Sequence, residues 1–233
     1  MCYEVGEFAL DTYDIDRISI EPLLFQTGYL TVKEVLDDGY SPAYLLEMPN
    51  HEVRVAFNMH ILATFTESEP KVVDNAYRRI EKSLKSGDLQ DMLQALRSIF
   101  ASIPYQIHMN REAYYRSIFC AIINLFGFKM DAESLTATGR MDAELEHGDK
   151  VYIVEFKYRN SKKGATAEEK RVLFNEVLDD AMGQIKDRGY ADKYVGSGKK
   201  VYLVALAFLG RADIEMRVEA APATAKAATR LVF

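Results

Sequence analysis

Three side chains near the middle of the chain have the types and spacing that metal-dependent hydrolysis requires. Asp142 lies near the start of one segment with alternating apolar residues, and Glu155 and Lys157 lie near the end of the next. An aspartate and a glutamate together offer the oxygen ligands that a hard divalent cation such as Mg²⁺ prefers. A lysine beside such a cation can orient the attacking water and counter negative charge that develops on a phosphate. These residue types therefore indicate hydrolysis at a phosphate, provided that the fold brings them together.

The segment 151–158 predicts a β-strand that is covered on both faces. Because side chains alternate along a strand, Val151, Ile153, Glu155 and Lys157 share one face, and the residues between them share the other. Apolar residues occur on both faces, as in buried strands of α/β proteins. Unpaired charges are expensive to bury, so the acid and the lysine need a partner or solvent. A weak, solvated ion pair at the edge of the core is the alternative to a functional site.

A second predicted strand, residues 140–146, precedes this one across the polar turn at 147–150. Alternation places Asp142, Glu144 and Glu146 on the same face of that strand. Alternation alone does not show which of the three acids would bind a metal.

The sequence Gly-Arg-Met-Asp at 139–142, followed by Val-Glu-Phe-Lys at 154–157, resembles the D…(D/E)-x-K signature of the PD-(D/E)XK nuclease superfamily. It is more narrowly similar to the nuclease domain found C-terminal to AAA-ATPase-like regions in bacterial proteins. The resemblance covers residues 103–219, and Met141 stands where the superfamily's name has proline. It implies that Asp142 and Glu155 bind Mg²⁺ or Mn²⁺ and that Lys157 positions or activates the attacking water.

The same resemblance implies an α/β fold with a restriction-endonuclease-like core. In this core a helix, three strands, a helix and a strand form a mixed sheet flanked by helices. Residues 105–219 are expected to form the nuclease-like domain, behind a mainly helical, winged-helix-like N-terminal region at residues 1–104. An Ala-rich tail follows at 220–233. The first hundred residues are also similar to the segment that links the two parts of such ATPase-nuclease proteins.

Capping residues and apolar spacing locate the individual elements. Helices are predicted at 21–27, from Asn50 to 65, at 70–85, after Asp88, at 111–126 and from Thr166 to about 188. Strands are predicted at 29–35, 43–48, 128–135, 140–146, 151–158 and 201–208, with a further edge strand at 213–219. Val53, Phe57 and Ile61 are expected to form the buried stripe of the second helix.

Two further residues extend the candidate site. Glu112 lies in the first turn of the predicted helix 111–126, where the helix dipole stabilises a carboxylate. The superfamily often has a helix glutamate near its metal, and Glu112 matches that position. Gln184 borders the apolar stripe of the helix after Thr166, so it is either a boundary residue or, by resemblance, part of the active site. The Gln-x-x-x-Tyr spacing of some superfamily branches is absent, because the next tyrosine is Tyr190.

Composition restricts the location and the partners of the protein. The 233 residues contain no signal-like start and no run of about 18 apolar residues. Cys2 and Cys120 have no metal-ligand spacing, so we expect a cytoplasmic protein without a disulfide framework. The net charge of −6 does not indicate nucleic-acid binding, so contacts with DNA must come from a local basic surface. The best candidate is the loop after Lys157, which contains Lys162 and Lys163.

These observations lead to two alternatives for function. The first is a Mg²⁺- or Mn²⁺-dependent nuclease whose expected partners are DNA and an AAA-ATPase-like domain or protein. The second is a catalytically inactive interaction module that kept the nuclease fold, with the acid–lysine cluster as a salt-bridged remnant. The intact set of Asp142, Glu155 and Lys157 favours the enzyme, whereas the net negative charge favours the module.

Overall fold

The chain divides into two compact units, Met1–Ile61 and Leu62–Phe233. The computed structural model describes residues 3–10, 19–36, 42–104, 106, 109–132, 135–136, 139–162, 164–210 and 213–222. The helices Pro70–Ser86 and Gln90–Ser102 precede residue 105 but belong to the second unit, and the second of them packs on the edge strand Asp213–Ala220. The division into compact units falls after Ile61 and does not test whether a nuclease domain begins at residue 105. The predicted boundary between residues 104 and 105 therefore stays a prediction.

The first unit is built on a small antiparallel sheet. Its strands are β1 (Tyr3–Gly6), β2 (Thr31–Leu36) and β3 (Ala43–Glu47), and its helices are α1 (Glu7–Leu10), α2 (Ile20–Gln26) and the start of α3 (His51–Phe65). The strand β3 lies between the other two. The predicted helix and hairpin are therefore present, whereas β1 and α1 lack a periodic signal and were not expected. The similarity of this region to a winged helix stays a prediction.

The helix α3 begins where the sequence predicts, but its buried stripe differs. The side chain of Asn50 accepts a hydrogen bond from the Val53 N–H at 2.8 Å, as an N-cap does. Leu62 and Ala63 are buried, whereas Ile61 is exposed. Apolar residues occur all around this helix, so their spacing does not select one face.

The second unit contains the expected α/β core. Its helices are α4 (Pro70–Ser86), α5 (Gln90–Ser102), α6 (Glu112–Leu125) and α7 (Ala167–Asp187), with a short 3₁₀ helix at Asp192–Tyr194. Its strands are β4 (Lys129–Ala132), β5 (Leu135–Thr136), β6 (Gly139–Arg140), β7 (Ala143–His147), β8 (Lys150–Arg159), β9 (Lys200–Leu209) and β10 (Asp213–Ala220). The large sheet has the order β10-β9-β8-β7-β4, and β8 and β9 run parallel while the other pairs are antiparallel. The predicted mixed sheet, with its helix, three strands, helix and strand, is confirmed.

The strand β8 is buried on both faces, as its composition predicts. One face packs against α7 through a core cluster that includes Val151, Ile153, Ala181 and Ile185. On the other face, Phe156 makes an edge contact with Phe119 of α6 at 5.1 Å between ring centroids. Because Glu155 and Lys157 alternate with Phe156, they face α7.

The predicted strand 140–146 is interrupted next to the candidate metal ligand. The strand β6 ends at Arg140 and pairs with β5, whereas β7 begins at Ala143 and pairs with β8. Met141 is fully buried within the interruption, and Asp142 follows it. The Asp142 carboxylate accepts a hydrogen bond from the backbone N–H of Phe156 at 3.0 Å, a contact that a regular ladder would not use.

The helix α7 begins with the predicted capping box. The Thr166 hydroxyl accepts a hydrogen bond from the Glu169 N–H at 3.2 Å, and the Glu169 carboxylate accepts one from the Thr166 N–H at 2.7 Å. The helix then buries Phe174 against the sheet, whereas Val172 is exposed. No described helix is long and apolar enough to cross a membrane.

We expect the Thr166→Ala variant to lose about 1 kcal/mol of unfolding free energy, because it removes the hydroxyl that caps α7. Urea unfolding followed by circular dichroism measures this loss. The Thr166→Ser variant keeps a capping hydroxyl and should stay close to the wild type. Equal stability of the Ala variant and the wild type would contradict the prediction.

Candidate active site

The side chains of Glu155 and Lys157 meet in the layer between β8 and α7. The Lys157 Nζ lies 3.7 Å from Glu155 Oε1, and the Glu155 residue is only 2% exposed. The lysine side chain is 15% exposed, so it connects the buried acid to the protein surface. This geometry excludes the sequence alternative in which the pair is a solvated surface contact.

Gln184 of α7 joins these two side chains. Its Oε1 accepts a hydrogen bond from Lys157 Nζ at 2.6 Å, and its Nε2 donates one to Glu155 Oε1. The Gln184 amide therefore gives a hydrogen-bond partner to both charged side chains, its oxygen to Lys157 and its nitrogen to Glu155, and holds the two side chains together. The resemblance placed Gln184 near the site, and the structure brings it there.

Asp142 approaches the same place from the interruption before β7. One carboxylate oxygen, Oδ2, accepts the Phe156 N–H, and the other, Oδ1, accepts a hydrogen bond from Arg116 Nη1 at 2.8 Å. The charge of Asp142 is among the causes that raise the pKa of Glu155. The fold thus brings Asp142 to the pair formed by Glu155 and Lys157.

The other two acids of the predicted strand point elsewhere. Glu144 accepts a hydrogen bond from the Tyr194 hydroxyl and pairs with Lys193 at 2.5 Å. Glu146 pairs with Lys199 at 2.9 Å. Of the three acids Asp142, Glu144 and Glu146, Asp142 is therefore the one that lies near Glu155. Strand alternation alone did not distinguish among them.

Three charged residues near the site were not singled out from the sequence. Arg116 of α6 forms the ion pair with Asp142, Asp180 of α7 lies 3.8 Å from Lys157 Nζ, and Arg188 interacts electrostatically with Glu155. For Arg116 a signal existed, because it follows Glu112 by four residues and so lies on the same helix face. Glu112 is also close enough for its charge to raise the pKa of Glu155.

Burial is the main cause that raises the pKa of Glu155, to about 7, and the negative charge of Asp142 adds to it. The positive charges of Lys157 and Arg188 oppose this increase. The Glu155 carboxyl therefore keeps its proton to a higher pH than an ordinary glutamate does. A cation that binds Glu155 must compete with this proton.

Two basic residues that follow the loop after Lys157, at the start of α7, form ion pairs. Lys170 pairs with Asp213 at 2.7 Å, and Arg171 pairs with Glu168 at 2.6 Å. Lys162 is exposed, and Lys163 lies outside the described residues. The expected role of Lys162 and Lys163 in DNA binding therefore stays a prediction.

Comparison with known proteins decides the family of this site. Residues 110–219 match the PD-(D/E)XK nuclease superfamily. This part of the chain belongs to that superfamily. The matched residues include α6, the five strands β4 to β8, α7, β9 and nearly all of β10. They therefore include every residue of the site described above.

One curated relative is an uncharacterized protein in the vnfD 5′ region of Azotobacter chroococcum mcd 1. It is 31% identical over 204 residues, which cover 85% of this chain but only 37% of the relative's length. No solved structure matches this chain. The AAA-ATPase-like context expected from the sequence therefore stays a prediction.

The site fits the metal chemistry that is typical of PD-(D/E)XK nucleases. Glu155 Oε2 is buried and has no hydrogen-bond partner among the described residues, although a buried carboxylate oxygen normally has one. No group of three or more His, Cys, Asp or Glu side chains suited to a metal occurs in the described ranges. Two carboxylates are nevertheless enough for Mg²⁺, because this ion keeps several waters and also binds substrate phosphate.

The raised pKa of Glu155 predicts a pH-dependent stability of the metal-free protein. Because the folded protein holds this proton more tightly than the unfolded chain, the stabilisation is present at low pH and is lost as the pH rises through about 7. In EDTA, we expect the wild type to lose on the order of 2 kcal/mol relative to Glu155→Gln between pH 5 and pH 8.

Urea unfolding of both proteins at the two pH values measures this difference. The control is Glu146→Gln, because Glu146 lies on the neighbouring strand in an ion pair that lowers its pKa. This control should not reproduce the effect of Glu155→Gln. Parallel pH profiles for the wild type and Glu155→Gln would contradict the prediction.

Proposed function

We propose that this chain is a metal-dependent nuclease that hydrolyses phosphodiester bonds, with DNA as its substrate. The observation that carries the proposal is the buried Glu155 carboxylate with one oxygen lacking a described partner, beside Asp142 and Lys157. Membership of residues 110–219 in a nuclease superfamily supports the same chemistry. A divalent cation bound to Glu155 would give this buried oxygen the partner that a buried carboxylate oxygen normally has.

Asp142 and Glu155 are the residues that would hold Mg²⁺ or Mn²⁺. Each oxygen of an ionised carboxylate has two lone pairs, so the hydrogen bonds to Asp142 leave room for a metal ligand bond. A bound divalent ion supplies a water of lowered pKa and offsets negative charge on the phosphate. Glu112 lies near enough to influence Glu155, and we assign it a supporting electrostatic role at this site.

Lys157 is the residue proposed to act on the water and the phosphate. Its ammonium has three N–H donors, of which one binds Gln184 Oε1. Another can hold the attacking water or stabilise the additional negative charge on the phosphate. Gln184 orients the lysine and Glu155 together, so it is proposed as a positioning residue.

The reaction is an attack of water on phosphorus. A new P–O bond forms from the water oxygen, which gives up a proton. The bond from phosphorus to the leaving sugar oxygen breaks, and that oxygen keeps the electron pair and takes up a proton. The products are a phosphate monoester and a hydroxyl group. An AAA-ATPase-like partner, inside or outside the same polypeptide, is proposed on resemblance alone.

We expect Mg²⁺- or Mn²⁺-dependent cleavage of plasmid or single-stranded DNA by the wild type. Asp142→Asn removes a metal ligand, and Lys157→Ala removes the donor at the phosphate, so each should lower the cleavage rate by about 100-fold or more. Gel assays with and without EDTA measure these rates.

Asp149 and Lys200 offer matched controls, because they form an ion pair at the opposite end of β8 and β9. Asp149→Asn and Lys200→Ala should cleave at the wild-type rate. Wild-type activity in Lys157→Ala would contradict the proposed role of the lysine. If the wild type neither cleaves DNA nor binds a divalent metal in calorimetry, the chain is an interaction module with a nuclease fold.

A further inference from the structure

Arg116 is a cation placed where the proposed metal would also bind. It lies on α6 one turn after Glu112, and its Nη1 donates to Asp142 Oδ1 at 2.8 Å. The arginine side chain is 19% exposed and the aspartate side chain 12% exposed, so the pair is shielded but open to solvent on one side. A second positive charge next to a cation site lowers the affinity of that site for the cation.

The contact is not needed to place the Asp142 carboxylate. The other oxygen of Asp142 is already fixed by the Phe156 N–H at 3.0 Å, and Met141, which precedes it, is fully buried. If position were the only requirement, a neutral donor would serve without the electrostatic cost. In the metal-free protein the positive charge of Arg116 offsets the charge of the buried Asp142 carboxylate. A cation bound to Asp142 would take over this role, and the charge of Arg116 would then be matched by a second anion.

A phosphate of the substrate is the group that this charge would serve. An incoming phosphodiester is negative and meets a site that is rich in carboxylates, namely Glu112, Asp142, Glu155 and Asp180. Lys157 is shared between Gln184 and two of these acids. A guanidinium has five N–H donors in a planar fork that matches phosphate, so it can contact Asp142 and a phosphate oxygen together.

We infer that Arg116 binds a phosphate of the nucleic-acid substrate beside the cation held by Asp142 and Glu155. This inference rests on the proposed nuclease function and names a substrate-binding residue for it. Arg116 couples the two ligands of the site in opposite directions, because it repels the metal ion and attracts the phosphate. A structural ion pair between α6 and Asp142 would also repel the metal ion but would not contribute to phosphate binding.

The affinities for the metal ion and for the nucleic acid should change in opposite directions when Arg116 is replaced, and this difference can be measured. We expect Arg116→Gln to bind Mn²⁺ roughly 3- to 10-fold more tightly in titration calorimetry, because one positive charge is lost near the ion. The same change should weaken binding of a fluorescein-labelled DNA oligonucleotide at saturating Mn²⁺ by about 10-fold, the effect of losing one charge-assisted hydrogen bond. Fluorescence anisotropy in a Lys157→Ala background measures this binding while limiting cleavage.

Two further variants make the result specific. Arg116→Lys keeps the charge without the fork, so its Mn²⁺ affinity should stay near that of the wild type and its oligonucleotide affinity should fall between the other two. Arg171→Gln removes an arginine from an exposed pair with Glu168 and should change neither affinity. Thermal unfolding of each variant shows that the fold is retained.

Oligonucleotide binding that Arg116→Gln leaves unchanged, or weaker binding of both ligands, would overturn the inference and make the ion pair structural. In both cases the proposed nuclease function would survive if the wild type binds Mn²⁺ and cleaves DNA. A wild type that binds neither Mn²⁺ nor the oligonucleotide would overturn the proposed function and the inference together.

Discussion

The burial of the Glu155 carboxylate between β8 and α7 is the constraint on which the site depends. Removing a carboxylate from water costs several kcal/mol unless hydrogen bonds and opposite charges compensate. Here Gln184 donates to one oxygen, Lys157 lies 3.7 Å away, and the pKa of Glu155 still rises to about 7. The helix α7 must therefore keep its position on β8, because Gln184 reaches Glu155 and Lys157 from this helix. The capping box and the buried face of α7 help to hold that position.

The same constraint links the structure to the proposed function. The second Glu155 oxygen has no hydrogen-bond partner among the described residues. The negative charge of Asp142 nearby further disfavours the ionised form of Glu155. Both features destabilise the metal-free protein and both would be relieved by a divalent cation. A site that gains stability from its ligand in this way is expected for catalysis rather than for a structural ion pair.

Local signals predicted most of the fold, and non-local contacts account for what they missed. The capping box at Thr166 and the two-faced pattern of β8 depend on neighbours in sequence, so both were predictable. The interruption at Met141 and Asp142 depends on the Phe156 N–H, which lies on the next strand. The role of Gln184 as a bridge and the pairing of Arg116 with Asp142 likewise join residues 26 or more positions apart. Resemblance placed Gln184 at the site, but only the structure shows what it contacts.

The most direct test of the central claim is a crystal structure of the protein soaked in Mn²⁺, with data collected at the manganese absorption edge. We predict an anomalous difference peak contacted by carboxylate oxygens of both Asp142 and Glu155, with Gln184 still bonded to Lys157. A fully occupied metal elsewhere on the surface, with no peak at these two carboxylates, would contradict the assignment of this buried cluster as a metal-dependent active site.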